Sequence, residues 1–172
     1  SSTSRGLGDV YKRQGSIRLV RIVGLDVGAR RIGVAISDAT GVLARPLDVI
    51  QVSRLDAAAV TRVVDRIRDL RDEEDGVARL VVGLPRHLDG TPNAMTESVS
   101  QFARDVADRA GLPLTLQDER LSSREAESRL ARREKDWRVR KARLDAAAAA
   151  VILQDYLDEH AARRVVSPDV EP

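Results

Sequence analysis

Apolar residues follow two different periods along this chain, and the change of period separates predicted strands from predicted helices. Short runs rich in β-branched residues predict five strands, and the continuous runs among them are typical of strands buried on both faces. The predicted strands cover residues 19–25, 31–37, 42–52, 78–84 and 114–117. Because only short, glycine-containing turns join the first three strands, we expect these three to pair antiparallel.

Helical spacing takes over after the third strand. Apolar residues then recur at every third or fourth position and predict one helix over 55–70 and another with an apolar stripe over 99–110. We expect the second helix to begin with Thr91 and Pro92 as its N-cap and first-turn pair. We expect it to end at Gly111, since glycine favours the end of a helix.

Two further helices are predicted in the last third of the chain. A Ser-Ser-Arg-Glu capping box at 122–125 opens one, and the other is expected over about 141–160. The resulting order is β-β-β-α-β-α-β-α-α. Three meandering strands followed by helix-linked parallel strands predict an α/β fold, in which helices flank a five-stranded mixed sheet.

The two ends of the chain lack this periodicity. Residues 1–16 contain few apolar positions, and we expect a disordered extension or an expression remnant there. Residues 161–172 have the composition of a C-terminal tail. The sequence therefore predicts a single domain over 17–160, which suits a chain of 172 residues.

Composition narrows the chemistry that this domain can perform. The chain has no cysteine, which excludes disulfides and thiolate metal sites, and it has only two histidines. Carboxylates are therefore the groups that remain for catalysis. No apolar run approaches the roughly 20 residues that cross a bilayer, and we expect no secretory leader. We expect a cytoplasmic protein with no membrane partner.

Charge is concentrated in one segment although the net charge is only +2. Residues 120–143 contain ten basic and four acidic side chains, whereas residues 144–172 contain two basic and six acidic ones. Such a segment fits an anionic partner on one face of the protein, and it equally fits a solvated arginine-rich surface.

Three acidic residues are candidates for a single site. Asp26 ends the first strand, Glu119 directly follows the fifth, and Asp145 precedes the eight apolar residues of the last helix. Sites in open mixed sheets gather at the carboxyl ends of parallel strands, where Mg²⁺ would offset the mutual repulsion of three carboxylates. Each acid also has a structural interpretation: Asp26 could cap a turn, Glu119 could pair with a nearby arginine, and Asp145 could be an N-cap.

The hairpin GLDVGARRIGVA, residues 24–35, is ambiguous by itself. Gly28 and Gly33 leave room for the approach of another backbone or of a phosphate. Sugar kinases and actin-like ATPases open with a similar hairpin, but they need two such lobes around a nucleotide, and this chain has residues for one.

Four segments together make the sequence resemble the YqgF/RuvX family over about residues 18–159. They are GLDVGARRIGVA, VVGLPRHLDG, DERLSSREAE and KARLDAAAAAVIL. The family comprises ribonuclease H-like nucleases of bacteria, described as nucleases for pre-16S rRNA or as Holliday junction resolvases. The resemblance implies a ribonuclease H-like sheet of order 3-2-1-4-5 and a site dependent on Mg²⁺ or Mn²⁺. Asp26, Glu119 and Asp145 match its acidic positions and would be both the catalytic residues and the metal ligands.

The resemblance also implies contacts with nucleic acid. We expect substrate phosphates near the Gly28 turn and near the surrounding bases Arg30, Arg120, Arg124, Lys141 and Arg143, with Arg132 and Arg133 on the same side. His87 is expected to be an exposed loop residue, and Asp89-Gly90 a turn.

Three functions stay open at this point. The first is a metal-dependent endonuclease for the 5′ end of pre-16S rRNA. The second is a resolvase of four-way DNA junctions, for which symmetric cleavage calls for a homodimer. The third is an RNA-binding module for ribosome assembly that performs no catalysis.

Overall fold

A five-stranded mixed sheet with helices on both faces forms the body of the molecule. The computed structural model describes residues 21–72, 76–118 and 137–165, and in the last range it describes the side chains of 143–161. The sheet order is β3-β2-β1-β4-β5, so the predicted order 3-2-1-4-5 and the predicted α/β fold are confirmed. The elements are β1 (Arg21–Val27), β2 (Arg31–Ser37), β3 (Ala44–Gln51), α1 (Ala57–Arg71), β4 (Val77–Leu84), α2 (Thr96–Ala110), β5 (Leu114–Asp118) and α3 (Trp137–Val165).

Strand directions also agree with the expectation from loop lengths. β2 is antiparallel to both of its neighbours, β1 and β3. β4 is parallel to both β1 and β5, as the helical connections require. The carboxyl ends of β1, β4 and β5 therefore meet at one edge of the sheet.

The predicted start of α2 at 91–92 is wrong. Pro92 forms an isolated β-bridge with Arg86, so this stretch closes a small hairpin instead of opening a helix. The chain then turns at Asn93, whose Oδ1 accepts the backbone N–H of Thr96 at 3.1 Å. α2 therefore begins only at Thr96.

The last helix is longer than its pattern predicted. α3 begins at Trp137 and runs past His160 to Val165. The helix predicted to open at 122–125 lies outside the described residues. Within the described ranges, none of the helices combines the length and the apolar character that a bilayer-spanning helix requires.

Alternation along β1 divides the core into two layers. Val23, Leu25 and Val27 point towards α1 and α2 and join the larger apolar cluster. On the opposite face, Ala35 of β2 and Val81 of β4 pack against the aliphatic and aromatic side chains of α3, which are Ala149, Ile152, Leu153, Tyr156 and Leu157. β1 is thus covered on both faces, which explains its nearly continuous apolar sequence.

Two glycines let α3 lie directly on the sheet. A Cβ atom at Gly24 would lie 2.8 Å from the Cβ of Leu153. A Cβ atom at Gly33 would overlap the carbonyl oxygen of Asp145 and would lie 3.2 Å from the backbone nitrogen of Ala146. Because the obstruction at Gly33 is backbone, no side-chain rotation can relieve it, so only glycine fits beneath this part of α3.

We expect Gly33→Ala to lower the free energy of unfolding by about 1–3 kcal/mol or more, because the added methyl must displace the α3 backbone. Chemical denaturation measures the change. Gly41→Ala is the control, since Gly41 has a φ of 69° and no neighbour within 4 Å of a new Cβ. That control incurs only backbone strain of about 1–2 kcal/mol and leaves α3 in place. Wild-type stability in Gly33→Ala would contradict the close approach.

Candidate active site

The edge where the parallel strands end carries the first candidate acid. Asp26 is the penultimate residue of β1, and its partner across the β1–β2 ladder is Gly33. Directly opposed residues of an antiparallel pair project to the same face of the sheet. Gly33 faces α3, because its missing side chain would meet that helix. The half-buried Asp26 side chain therefore projects to the α3 face, next to the place where α3 crosses β2.

The second candidate acid reaches the same place from α3. The carbonyl carbon and oxygen of Asp145 lie directly over Gly33. Gly33 thus contacts Asp145 through its open face and pairs with Asp26 through the sheet. The structure brings these two acids together at one glycine, although more than a hundred residues separate them in the sequence. The N-cap interpretation of Asp145 is wrong, because α3 has already begun at Trp137.

An arginine that the sequence analysis did not select completes this cluster. Arg31 Nε lies 3.0 Å from Asp145 Oδ2, and the two side chains are 27% and 28% exposed. Arg31 occupies the same face as Gly33 and Ala35 because strand side chains alternate. The sequence signal for Arg31 was this alternation, which puts Arg31 on the same strand face as the two small residues. Once α3 is known to cover that face, Arg31 must contact the helix.

The predicted third acid stays a prediction. Glu119 lies outside the described residues, directly after Asp118, the last residue of β5. Asp118 pairs with Leu84 at the end of β4, so β5 ends at the same edge of the sheet as Asp26. β1 and β5 flank β4, and strands two places apart lie about 10 Å from each other.

The predicted phosphate-binding residues have different outcomes. Gly28 forms the β1–β2 turn, where its N–H donates to the Arg31 carbonyl at 2.9 Å. Arg30 and Arg143 are exposed. Lys141 belongs to the α3 backbone, and its side chain is outside the description, as are Arg120, Arg124, Arg132 and Arg133. Gly33 admits a backbone, that of α3, and not a phosphate.

A small hairpin projects from the same edge between β4 and α2. The His87 N–H donates to the Thr91 carbonyl at 2.9 Å, and Gly90 turns the chain with a φ of 85°. A hydrogen bond from the Thr91 hydroxyl to Asp89, followed by one from its N–H, holds the pKa of Asp89 below its usual value. His87 is exposed and Asp89-Gly90 is a turn, as predicted. Leu88 is 70% exposed at the tip.

A cleft elsewhere in the described part of the molecule does not contain these acids. It has a volume of about 640 Å³ and lies between α1 and α2, on the sheet face opposite α3. Its lining includes Leu55, Val60 and Phe102 together with several surface charges. This cleft is therefore separate from the edge of the sheet that carries Asp26 and Asp145.

The donor set at Gly33 suits a hard divalent cation. Asp26 and Asp145 supply carboxylate oxygens, which Mg²⁺ prefers, and their backbones are fixed by the sheet and by α3. Among residues 21–72, 76–118 and 143–161, no group of three or more acidic or histidine side chains could hold a metal. A carboxylate from the segment after β5, where Glu119 was predicted to act, would complete such a set.

Comparisons with known proteins agree with this architecture. The family model for RuvX, described as Holliday junction resolvase, matches residues 20–159. A protein of Burkholderia ambifaria named "Putative pre-16S rRNA nuclease" is 44% identical over 145 residues, which is 84% of this chain and 93% of that protein. A protein of the same name from Pelotomaculum thermopropionicum is 40% identical over 139 residues, 81% of this chain and 87% of its own.

Solved structures include similar chains at low identity. The Thermus thermophilus RuvC structure has 18% identity and a TM-score of 0.49, and the match covers 83% of this chain and 97% of that one. The yeast mitochondrial Holliday junction resolvase Ydc2 has 11% identity and a TM-score of 0.49, with coverages of 86% and 82%.

A five-stranded mixed sheet of order 3-2-1-4-5 with helices on both faces is a ribonuclease H-like fold. The family match and the relatives above identify it further. The chain belongs to the RuvX family, and the predicted enzyme class, a nuclease that hydrolyses phosphodiester bonds, is confirmed.

We expect wild-type protein to bind Mn²⁺, and Asp26→Asn and Asp145→Asn each to lose at least about tenfold in affinity, because a neutral amide replaces a hard anionic ligand. Isothermal titration calorimetry without nucleic acid measures this. Asp158→Asn is the matched control on α3, about 20 Å along the helix from Asp145. Equal Mn²⁺ affinity in all four proteins would contradict a metal site at Gly33.

Proposed function

We propose that this chain is a Mg²⁺- or Mn²⁺-dependent endonuclease that matures the 5′ end of pre-16S rRNA in the cytoplasm. The proposal rests on one observation at the edge where β1, β4 and β5 end. There Gly33 pairs with Asp26 across the sheet and contacts the backbone of Asp145 in α3. A binding module has no need for two half-buried carboxylates at such a point, since carboxylates repel the phosphates of its ligand.

The roles follow from the position of each residue. Asp26 and Asp145 would hold the cation from the sheet and from the helix, and Glu119, which follows β5 in the sequence, would complete or orient the site. A divalent cation bound there supplies electrostatic stabilisation of the charge that develops on the phosphate oxygens during hydrolysis. The rigid backbones around Gly33 keep both carboxylates in place before the substrate arrives, which lowers the reorganisation that the reaction requires.

Basic residues close to these acids in the structure or in the sequence would position the nucleic acid. Arg30 is exposed on the β1–β2 turn, and Arg143 is exposed on α3 two residues before Asp145. Arg120, Arg124 and Lys141 belong to the basic segment 120–143, of which residues 137–143 lie in α3. Phosphates held by these cations would offset the repulsion that the acids exert on the backbone of the substrate.

Pre-16S rRNA is the substrate that the relatives favour. Both relatives described above carry that substrate in their names, at 44% and 40% identity. A four-way DNA junction is the second candidate, because the family model is described as a Holliday junction resolvase. Symmetric cleavage of a junction requires two sites, so that alternative also predicts a homodimer.

Direct comparison of the two substrates tests the choice between them. We expect pure protein with Mg²⁺ or Mn²⁺ to shorten a pre-16S rRNA fragment at its 5′ end and to leave a synthetic four-way junction intact. Denaturing gels read the products, and reactions with EDTA control for metal dependence. Symmetric nicks in the junction, together with a dimer in analytical ultracentrifugation, would favour the resolvase.

Removal of one acid separates catalysis from folding and from binding. We expect Asp145→Asn to keep its stability within about 1 kcal/mol, because asparagine is nearly isosteric with aspartate and the lost ion pair with Arg31 is partly exposed. It should still bind RNA in a filter assay and lose nearly all Mg²⁺-dependent cleavage. Asp26→Asn should behave in the same way.

Asp158→Asn controls for the loss of one charge from α3, since Asp158 accepts a hydrogen bond from Gln154 far from the site edge. It should cleave like wild type. Full activity in Asp145→Asn would remove this residue from the mechanism. If wild-type protein binds RNA but cuts no substrate with any divalent cation, the chain acts as an RNA-binding module for ribosome assembly.

A further inference from the structure

Arg31 is held against the acidic site by the fold itself. It opens β2, where it pairs with Gln51 of β3, and its carbonyl accepts the Gly28 N–H that closes the hairpin turn. Its guanidinium projects to the α3 face, where Nε lies 3.0 Å from Asp145 Oδ2. The backbone of Asp145 is fixed in turn by its contact with Gly33.

The chemistry of this ion pair bears on the proposed metal ligand. The Asp145 Oδ2 atom is itself buried, so Arg31 approaches it on a side that water does not reach. Arginine keeps its charge at every pH at which the protein is folded, so deprotonation cannot release this contact. A divalent cation that takes Asp145 as a ligand must therefore share the carboxylate with the guanidinium or displace it.

We propose that Arg31 is the internal counter-cation of the acidic site. It neutralises Asp145 while no metal is bound, and it transfers its guanidinium to a phosphate of the nucleic acid when the metal takes over the carboxylate. This inference rests on the proposed metal-dependent function. A guanidinium suits both partners, because its planar fork pairs with carboxylates and with phosphates.

Two consequences distinguish a counter-cation from a structural ion pair. Without nucleic acid, Arg31 opposes the metal, so its removal should tighten metal binding. With nucleic acid, metal binding makes Arg31 available to a phosphate, so each ligand should strengthen the other, and by linkage the two effects are equal. A purely structural pair would lower stability when broken and would leave this coupling unchanged.

The test measures Mn²⁺ affinity by calorimetry, without nucleic acid, in wild type and in Arg31→Gln. We expect Arg31→Gln to bind Mn²⁺ at least about fivefold more tightly. Arg31→Lys, which keeps the charge, should remain near wild type. Arg45→Gln is the control for net charge, since Arg45 is exposed near the opposite end of β3. Equal or weaker Mn²⁺ binding in Arg31→Gln would overturn the proposal.

The second arm measures coupling with a nuclease-resistant 2′-O-methyl RNA oligonucleotide by fluorescence anisotropy. Mn²⁺ should strengthen RNA binding at least about fivefold in wild type and less than twofold in Arg31→Gln. Equal coupling in the two proteins would overturn the transfer of Arg31 to a phosphate.

Should Arg31→Gln fail to fold, wild-type protein still provides a test. Addition of Mg²⁺ should shift the side-chain Nε–H resonance of Arg31 in an NMR spectrum, and an unchanged resonance would contradict displacement. A different result would contradict the proposed metal-dependent function itself. In that case wild-type protein would bind no Mn²⁺, or would bind it with the same affinity as Asp145→Asn. A Mn²⁺ affinity that falls in Asp145→Asn but is unchanged in Arg31→Gln would overturn only the proposed role of Arg31 as counter-cation.

Discussion

The contact between the α3 backbone and Gly33 is the constraint on which the rest of the molecule depends. It brings α3, which begins more than a hundred residues later in the sequence, onto the second strand of the sheet. The backbone of α3 lies so close to Gly33 that no side chain fits between them. The same contact places Asp145 beside the strand partner of Asp26. The absence of a Cβ atom at Gly33 therefore permits both the packing of α3 on the sheet and the approach of Asp145 to the strand that carries Asp26. A substitution at Gly33 would disturb both together.

Charges of both signs surround this contact. Asp26 and Asp145 belong to the strand and the helix that approach each other at Gly33, where the strands end, so two negative charges are placed at this edge of the sheet. Arg31 supplies one positive charge from within the sheet. Arg30 and Arg143 supply further charge from the exposed rim. The nearly neutral net charge of the chain thus conceals a local separation of charge, with acids inside and bases around them.

The sequence predicted most of the fold because burial on two faces leaves a strong pattern. β2 was predicted with its observed bounds, and the continuous apolar run of β1 reflects cover by helices on both sides. The start of α2 was missed because Thr91 and Pro92 suit a helix start and a hairpin equally well. The bridge to Arg86 is a tertiary feature that local spacing does not encode.

The candidate site was predicted less completely, for a geometric reason. Asp26 and Asp145 were found because each stands at a special place in its own element. Arg31 was missed in favour of the adjacent Arg30, because selecting it required knowing which face of β2 lies under α3. Gly33 was read as room for a backbone or a phosphate, and the choice between them needed the position of the helix. Glu119 and the basic segment around it stay predictions.

The distance along the chain between the two acids has a consequence for biosynthesis. Chains emerge from the ribosome with the N-terminal part first, and all five strands precede α3. A nascent chain can therefore pair its strands and dock α1 and α2 while Gly33 is still uncovered and the acid from the last helix is absent. Under the proposed function, in which Asp145 is a metal ligand, the chain therefore gains its nuclease activity only after the final helix has been synthesised.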